Sequence, residues 1–147
     1  MKTRVILMFI LLFSLLFQLK AVCYAGRQAL VIGNSEYEDS PLQNTVNDAE
    51  AMAVALQNVG FTVLKKTDVT QQEMENAIRE FGQNLQPGDI ALFYFSGHGA
   101  QVEGVNYLIP IGARIESERD IKYKAVEAGM VLDQLEHARS RMNIIIL

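Results

Sequence analysis

The chain has 147 residues, half of them hydrophobic, with 17 acidic and 13 basic residues and a net charge of −4 at pH 7. That length supports one domain with a real core. The acidic balance, the lack of tryptophan and the lack of a basic stripe exclude a nucleic-acid-binding protein, and a lone cysteine excludes disulfide stapling.

Met1 to Arg4 is a short basic head, and Val5 to Leu19 is an uncharged, mostly apolar run of 15 residues. As a helix that run rises about 22 Å, short of the roughly 30 Å hydrocarbon core of a bilayer. Cys23-Tyr24-Ala25 supplies small residues at the −3 and −1 positions of a cut before Gly26. Residues 1–25 therefore read as a secretory signal peptide, with a secreted or periplasmic product. An uncleaved membrane anchor is the alternative. Cleavage would remove Lys2, Arg4 and Lys20 and no acidic residue, taking the net charge to −7 and leaving residues 26–147 without cysteine.

Gln28 to Ile32 is a short apolar strand ending at Gly33-Asn34. Ser35 to Pro41 is acidic and turn-rich, and reads as a solvated loop. A helix begins at Asn44 or Thr45, with Asp48 in its first turn and Ala49, Met52, Ala53, Leu56 and Val59 forming an apolar stripe up to Gly60. Phe61 to Leu64 is a second strand. Thr70-Gln71-Gln72-Glu73 matches a capping box, opening a helix that buries Met74, Ala77, Ile78, Phe81 and Leu85. Pro87-Gly88-Asp89 turns the chain into a third strand, Ile90 to Phe95. Ala100 to Val102 and Val105 to Ile109 then form a hairpin about Glu103-Gly104. Gly112 to Lys124 is charged and aperiodic, and is expected to be a mobile surface loop. Val126 to Arg139 is expected to be a third helix, and Asn143 to Leu147 a fourth strand. Alternating strands and helices predict a three-layer α/β/α fold with a mainly parallel sheet.

Ser96-Gly97-His98-Gly99 directly follows the third strand. Open α/β sheets place their sites at the carboxyl ends of strands, and a histidine there can exchange protons near neutral pH. The other histidine, His137, reads as a solvated residue near a helix C-terminus. The two histidines and scattered carboxylates show no metal-ligand spacing.

Four segments together resemble the caspase-like cysteine peptidases (peptidase family C14), on the bacterial metacaspase side. They are Leu30-Val31-Ile32-Gly33-Asn34, Asn47-Asp48-Ala49, Tyr94-Phe95-Ser96-Gly97-His98-Gly99 and Asn106-Tyr107-Leu108-Ile109-Pro110. The resemblance covers residues 27–147 and implies that 26–147 is the large-subunit (p20-like) part of a caspase-like domain. It implies His98 as the base of a Cys–His dyad and the Gly99 N–H as an oxyanion donor. Asp48 matches an acidic residue suited to an Arg or Lys side chain before the scissile bond, although a carboxylate serving the helix dipole explains it equally well. The caspase spacing from histidine to cysteine is about 50 residues. Leu147 lies 49 residues past His98, so the chain is read as a fragment that stops before the nucleophile and is inactive by itself. Ser96 follows the strand that carries the base and is not expected to replace the thiol. The expected partner is a peptide or protein substrate, together with a C-terminal half bearing the thiol or an active relative. No cofactor is required; calcium, used by some metacaspases, is not assignable to residues here. The alternative is a non-catalytic caspase-fold module that holds a peptide.

Overall fold

The computed structural model describes residues 25–147; of the segment read as a signal peptide or anchor, residues 1–24, Cys23 among them, lie outside the described residues. In chain order the elements are β1 (Arg27–Gly33), α1 (Thr45–Asn58), β2 (Thr62–Thr67), α2 (Gln71–Asn84), β3 (Ile90–Ser96), β4 (Gly99–Val102), β5 (Val105–Leu108), α3 (Glu118–Lys124), β6 (Val126–Glu127), α4 (Gly129–His137) and β7 (Met142–Ile146). Four strands form a parallel sheet in the order β2-β1-β3-β7, and β4-β5-β6 form a small antiparallel sheet.

The three layers follow from side-chain alternation along the strands. Leu30 and Ile32 of β1, with Ala91, Phe93 and Phe95 of β3, face α2 and α4 and pack on Met74, Ile78, Phe81 and Leu135. Ala29, Val31 and Leu92 point the other way, onto Ala49 and Leu56 of α1. Both inner strands are apolar on both faces, as a buried parallel sheet requires. A third cluster of Tyr37, Val102, Tyr107, Ile109 and Ala125 lies under the hairpin, beyond the carboxyl end of β3. The capping box holds: the N–H and hydroxyl of Thr70 both donate to the Glu73 carboxylate, at 2.9 and 2.7 Å. All five residues expected on the inner face of α2 are buried.

Three segments depart most from the sequence reading. The second strand runs on to Thr67, because Lys65 and Lys66 keep pairing with Val31 and Ile32 at the sheet edge, where lysine is tolerated and discourages a further strand. The segment expected to be a mobile loop contains α3, whose N-cap is Ser117. The helix expected from Val126 begins only at Gly129, since Val126 and Glu127 pair with Leu108 and Tyr107 of β5. The hairpin turn is left-handed at both central positions, Glu103 at φ 52° and Gly104 at φ 82°, the mirror-image turn that suits the strand twist.

Candidate functional site

Parallel register brings the carboxyl ends of β1 and β3 level, Gly33 beside Ser96. Two segments leave that edge together. One is the 34–42 loop leading from β1 to α1, and the other is Gly97-His98, the link between β3 and β4. The loop is fixed rather than free. Asn34 is fully buried; its amide oxygen accepts from the Val69 N–H at 3.0 Å, and its NH2 donates to the carbonyls of Val69 and Ile109 at 3.4 Å. The Asp68 carboxylate accepts the N–H groups of Ser35 and Glu36 at 2.6 and 3.0 Å, and the Ser35 hydroxyl donates to the Leu42 carbonyl at 2.6 Å.

This loop delivers Tyr37 and Ser40 to His98. The Ile109 N–H donates to the His98 carbonyl at 2.9 Å, which is one half of a hydrogen-bonded antiparallel pair; the return bond would run from His98 to Ile109. The Tyr37 hydroxyl stands in that return path. It accepts from the His98 N–H at 3.0 Å and donates to the Ile109 carbonyl at 2.9 Å. Burial pushes the Tyr37 phenol above its ordinary pKa, with the His98 backbone bond opposing it, so the hydroxyl stays a donor at neutral pH. The Tyr37 ring also packs against the imidazole, with centroids 4.4 Å apart and planes tilted by 59°.

Gly97 is required by this packing. A Cβ there would stand 2.5 Å from the Tyr37 hydroxyl and 2.6 Å from the Phe95 ring. The imidazole Nε2 lies 2.8 Å from the Ser40 carbonyl. A carbonyl only accepts, so Nε2 carries the proton and Nδ1 is left as the acceptor of the neutral ring. His98 is thus half-buried, oriented by two loop residues and fixed in one tautomer, which are the properties a general base needs.

The other two candidates share this edge but not these contacts. Gly99 opens β4 and is exposed. It pairs with Leu108 next to the hydrogen-bonded 98–109 pair, so alternation points its N–H away from β5. Asp48 is exposed on the first turn of α1, its N–H donating to the Asn44 carbonyl at 2.8 Å, and it joins none of the ion pairs among the described residues. The structure therefore brings His98, Tyr37 and Ser40 into one constellation, with Gly99 adjoining and Asp48 on a neighbouring helix. The carboxylates of the acidic loop are exposed, and Glu38 makes a surface ion pair with Arg114 at 3.5 Å. No cluster of three metal-ligating side chains exists among the described residues. Tyr37 and Ser40 escaped the sequence reading, which placed them in a solvated loop, and Asn34 was named only as the end of the first strand's motif.

Comparison with known proteins identifies the family and the fold. Residues 26–147 match the sequence profile of the caspase domain family. The human mucosa-associated lymphoid tissue lymphoma translocation protein 1 is 35% identical over 86 residues, covering 58% of this chain and 10% of that protein. Metacaspase-1 of Schizosaccharomyces pombe is 30% identical over 99 residues, covering 58% and 23%, and caspase a of Danio rerio is 28% identical over 97 residues, covering 62% and 25%. The matches thus span a quarter or less of those relatives' length. A crystal structure of a Geobacter sulfurreducens protein superposes with a TM-score of 0.62 at 19% identity, over 82% of this chain and 48% of that one, and shares the fold.

Proposed function

The chain belongs to the caspase domain family, and from that premise we propose that it forms the histidine-bearing part of a cysteine endopeptidase that cleaves after Arg or Lys. The observation that carries this reading is His98, held at the carboxyl end of β3 with its Nε2 on the Ser40 carbonyl and its backbone N–H on Tyr37. Residues 26–147 contain no cysteine, so this reading takes the thiol from outside them. β7 runs parallel to β3 with Ile146 beside Tyr94. The carboxyl end of β7 therefore points to the same edge as Gly97 and His98, where this reading needs the thiol.

In this mechanism His98 takes the thiol proton. The thiolate attacks the scissile carbonyl carbon, and the Gly99 N–H donates to the oxyanion. Collapse forms the thioester and breaks the C–N bond, the imidazolium giving its proton to the leaving amine. Water, deprotonated by the same histidine, then hydrolyses the thioester and restores the thiol. Asp48 faces the basic side chain before the scissile bond as a charge-assisted acceptor. Residues 1–25 act as the export signal.

The test uses the product of the whole reading frame and fluorogenic peptides ending in Arg, Lys or Asp. The reading expects Arg and Lys peptides to be cleaved, His98→Ala to lose at least about 100-fold, and Asp48→Asn to lose the Arg preference. Preference for Asp, or undiminished cleavage by His98→Ala, would overturn it. The absence of a cysteine in 26–147 favours one second reading, a non-catalytic module that holds a peptide; it expects peptide binding with no reaction toward a thiol-directed probe.

A further inference from the structure

A cavity of about 280 Å³ opens against the His98 imidazole, between the 37–40 loop, the hairpin and the segment from Gly112 to Ile121. Its walls are largely apolar, with Ala100, Ile109, Ala113, Ile115 and Ile121 contributing, while Glu38 and Arg114 form an ion pair at its rim and the exposed Asp39 lines it beside them. The volume lies at the bottom of the roughly 300–1,000 Å³ range of small-molecule sites, room enough for one amino-acid side chain. Apolar walls inside a charged rim select a side chain without charge, because a buried unpaired charge is strongly penalised.

Its position tells which side chain. The 34–42 loop leaves β1, which flanks β3 on the side opposite β7. The 37–40 wall of the cavity therefore comes from the β1 side of His98, and β7, the strand this reading has present the thiol, is on the other side. The imidazole stands between nucleophile and leaving group, taking a proton from the first and giving it to the second. A residue carrying the departing amine is thus directed into this cavity.

We infer that the cavity is a primed-side subsite that takes an apolar side chain from the residue immediately after the scissile bond (P1′). The inference rests on the proteolytic reading above and adds a second specificity element to it. Here the basic residue is chosen on one side of the bond and an aliphatic or aromatic residue on the other, so that a substrate is recognised by a basic–apolar dipeptide. Ile115 and Ile121 come from the segment that includes α3, so this segment forms part of the specificity surface.

The test compares internally quenched peptides that share one arginine-terminated sequence and differ only at P1′ (Leu, Phe, Gly or Asp), alongside an arginine coumarin amide without a P1′ side chain. The enzyme is again the product of the whole reading frame. Leu or Phe is expected to exceed Gly by about tenfold in kcat/KM, the scale for filling a hydrophobic pocket, and to exceed Asp by more. Ala113→Phe fills the cavity and brings the Leu-to-Gly ratio to about one; Ile115→Ala removes a wall and lowers the same ratio. Each ratio is taken within one protein, so a general loss of activity cancels. Equal kcat/KM for all four peptides, with the coumarin amide still cleaved, overturns the subsite and leaves the protease reading standing. An unchanged ratio in both variants overturns the subsite too. Failure to cleave the amide and every peptide removes both.

Discussion

Tyr37 decides how well the candidate base is held. Its hydroxyl sits between the His98 N–H and the Ile109 carbonyl, and its ring lies against the imidazole. Tyr37→Phe keeps the ring and removes the bridge, leaving two backbone groups without their partner. The expected cost is about 1–3 kcal/mol, seen as a lower urea midpoint of the recombinant 26–147 chain. Because Tyr37 acts through His98 as a positioning residue, the variant should also lower kcat more than it raises KM in the active product. Gly97→Ala is the sharper lesion, since its Cβ meets both the Tyr37 hydroxyl and the Phe95 ring; it should destabilise by more than Tyr37→Phe in the same titration. At this scale the sequence displayed the candidate base but not its supports. His98 stands between two glycines after an apolar strand and is visible by inspection. The bonds that orient it join residues 58 and 61 positions apart, and Asn34 reaches Ile109 across 75. No local pattern encodes such distances.

Helix α3 shows how a short element hides in a charged segment. Its signal is Ser117 with Asp120 three residues on; the serine hydroxyl and the Glu116 N–H both donate to the Asp120 carboxylate, at 3.0 and 3.1 Å. That is a capping arrangement with Asp in place of the usual Glu or Gln, followed by only seven helical residues, too few to show an apolar period. The Lys124 ammonium, then Ser117 and the Glu116 N–H, hold the Asp120 carboxyl at a pKa of about 2. A lowered carboxyl pKa favours the folded segment above the unfolded value of about 4, and that support is lost as pH falls through about 2. Carbon-detected NMR should therefore show Asp120 titrating well below the solvated carboxylates, with the α3 amides shifting in the same window. Titration at the ordinary carboxylate position would remove this account of the cap. Helix α2, by contrast, was legible throughout, since it has both a capping box and 14 residues of 3.6-residue periodicity.

At the scale of the molecule, the α/β order was legible because strand and helix periods alternate from β1 to β3 and a helix precedes β7. The sheet order was not, because strand pairing joins elements that sequence separates. The two sheet edges also differ in kind. β2 ends the sheet with Lys65 and Lys66, whereas β7 ends it with Met142, Ile145 and Ile146 exposed. An exposed apolar edge templates association. Recombinant 26–147 is therefore expected to sediment as a concentration-dependent oligomer, and Ile146→Lys to shift it toward monomer. A monomeric parent chain at all concentrations would show that the edge is protected.

The central claim is that His98 activates a thiol held beside it. It is tested most directly by covalent labelling of the whole reading-frame product with an arginyl acyloxymethyl ketone, read by intact mass and peptide mapping. The account predicts one adduct, on a cysteine following β7, formed at least about 100-fold more slowly in His98→Ala. Labelling of that cysteine at the same rate in both proteins, or an adduct on a residue away from this edge of the sheet, would contradict it.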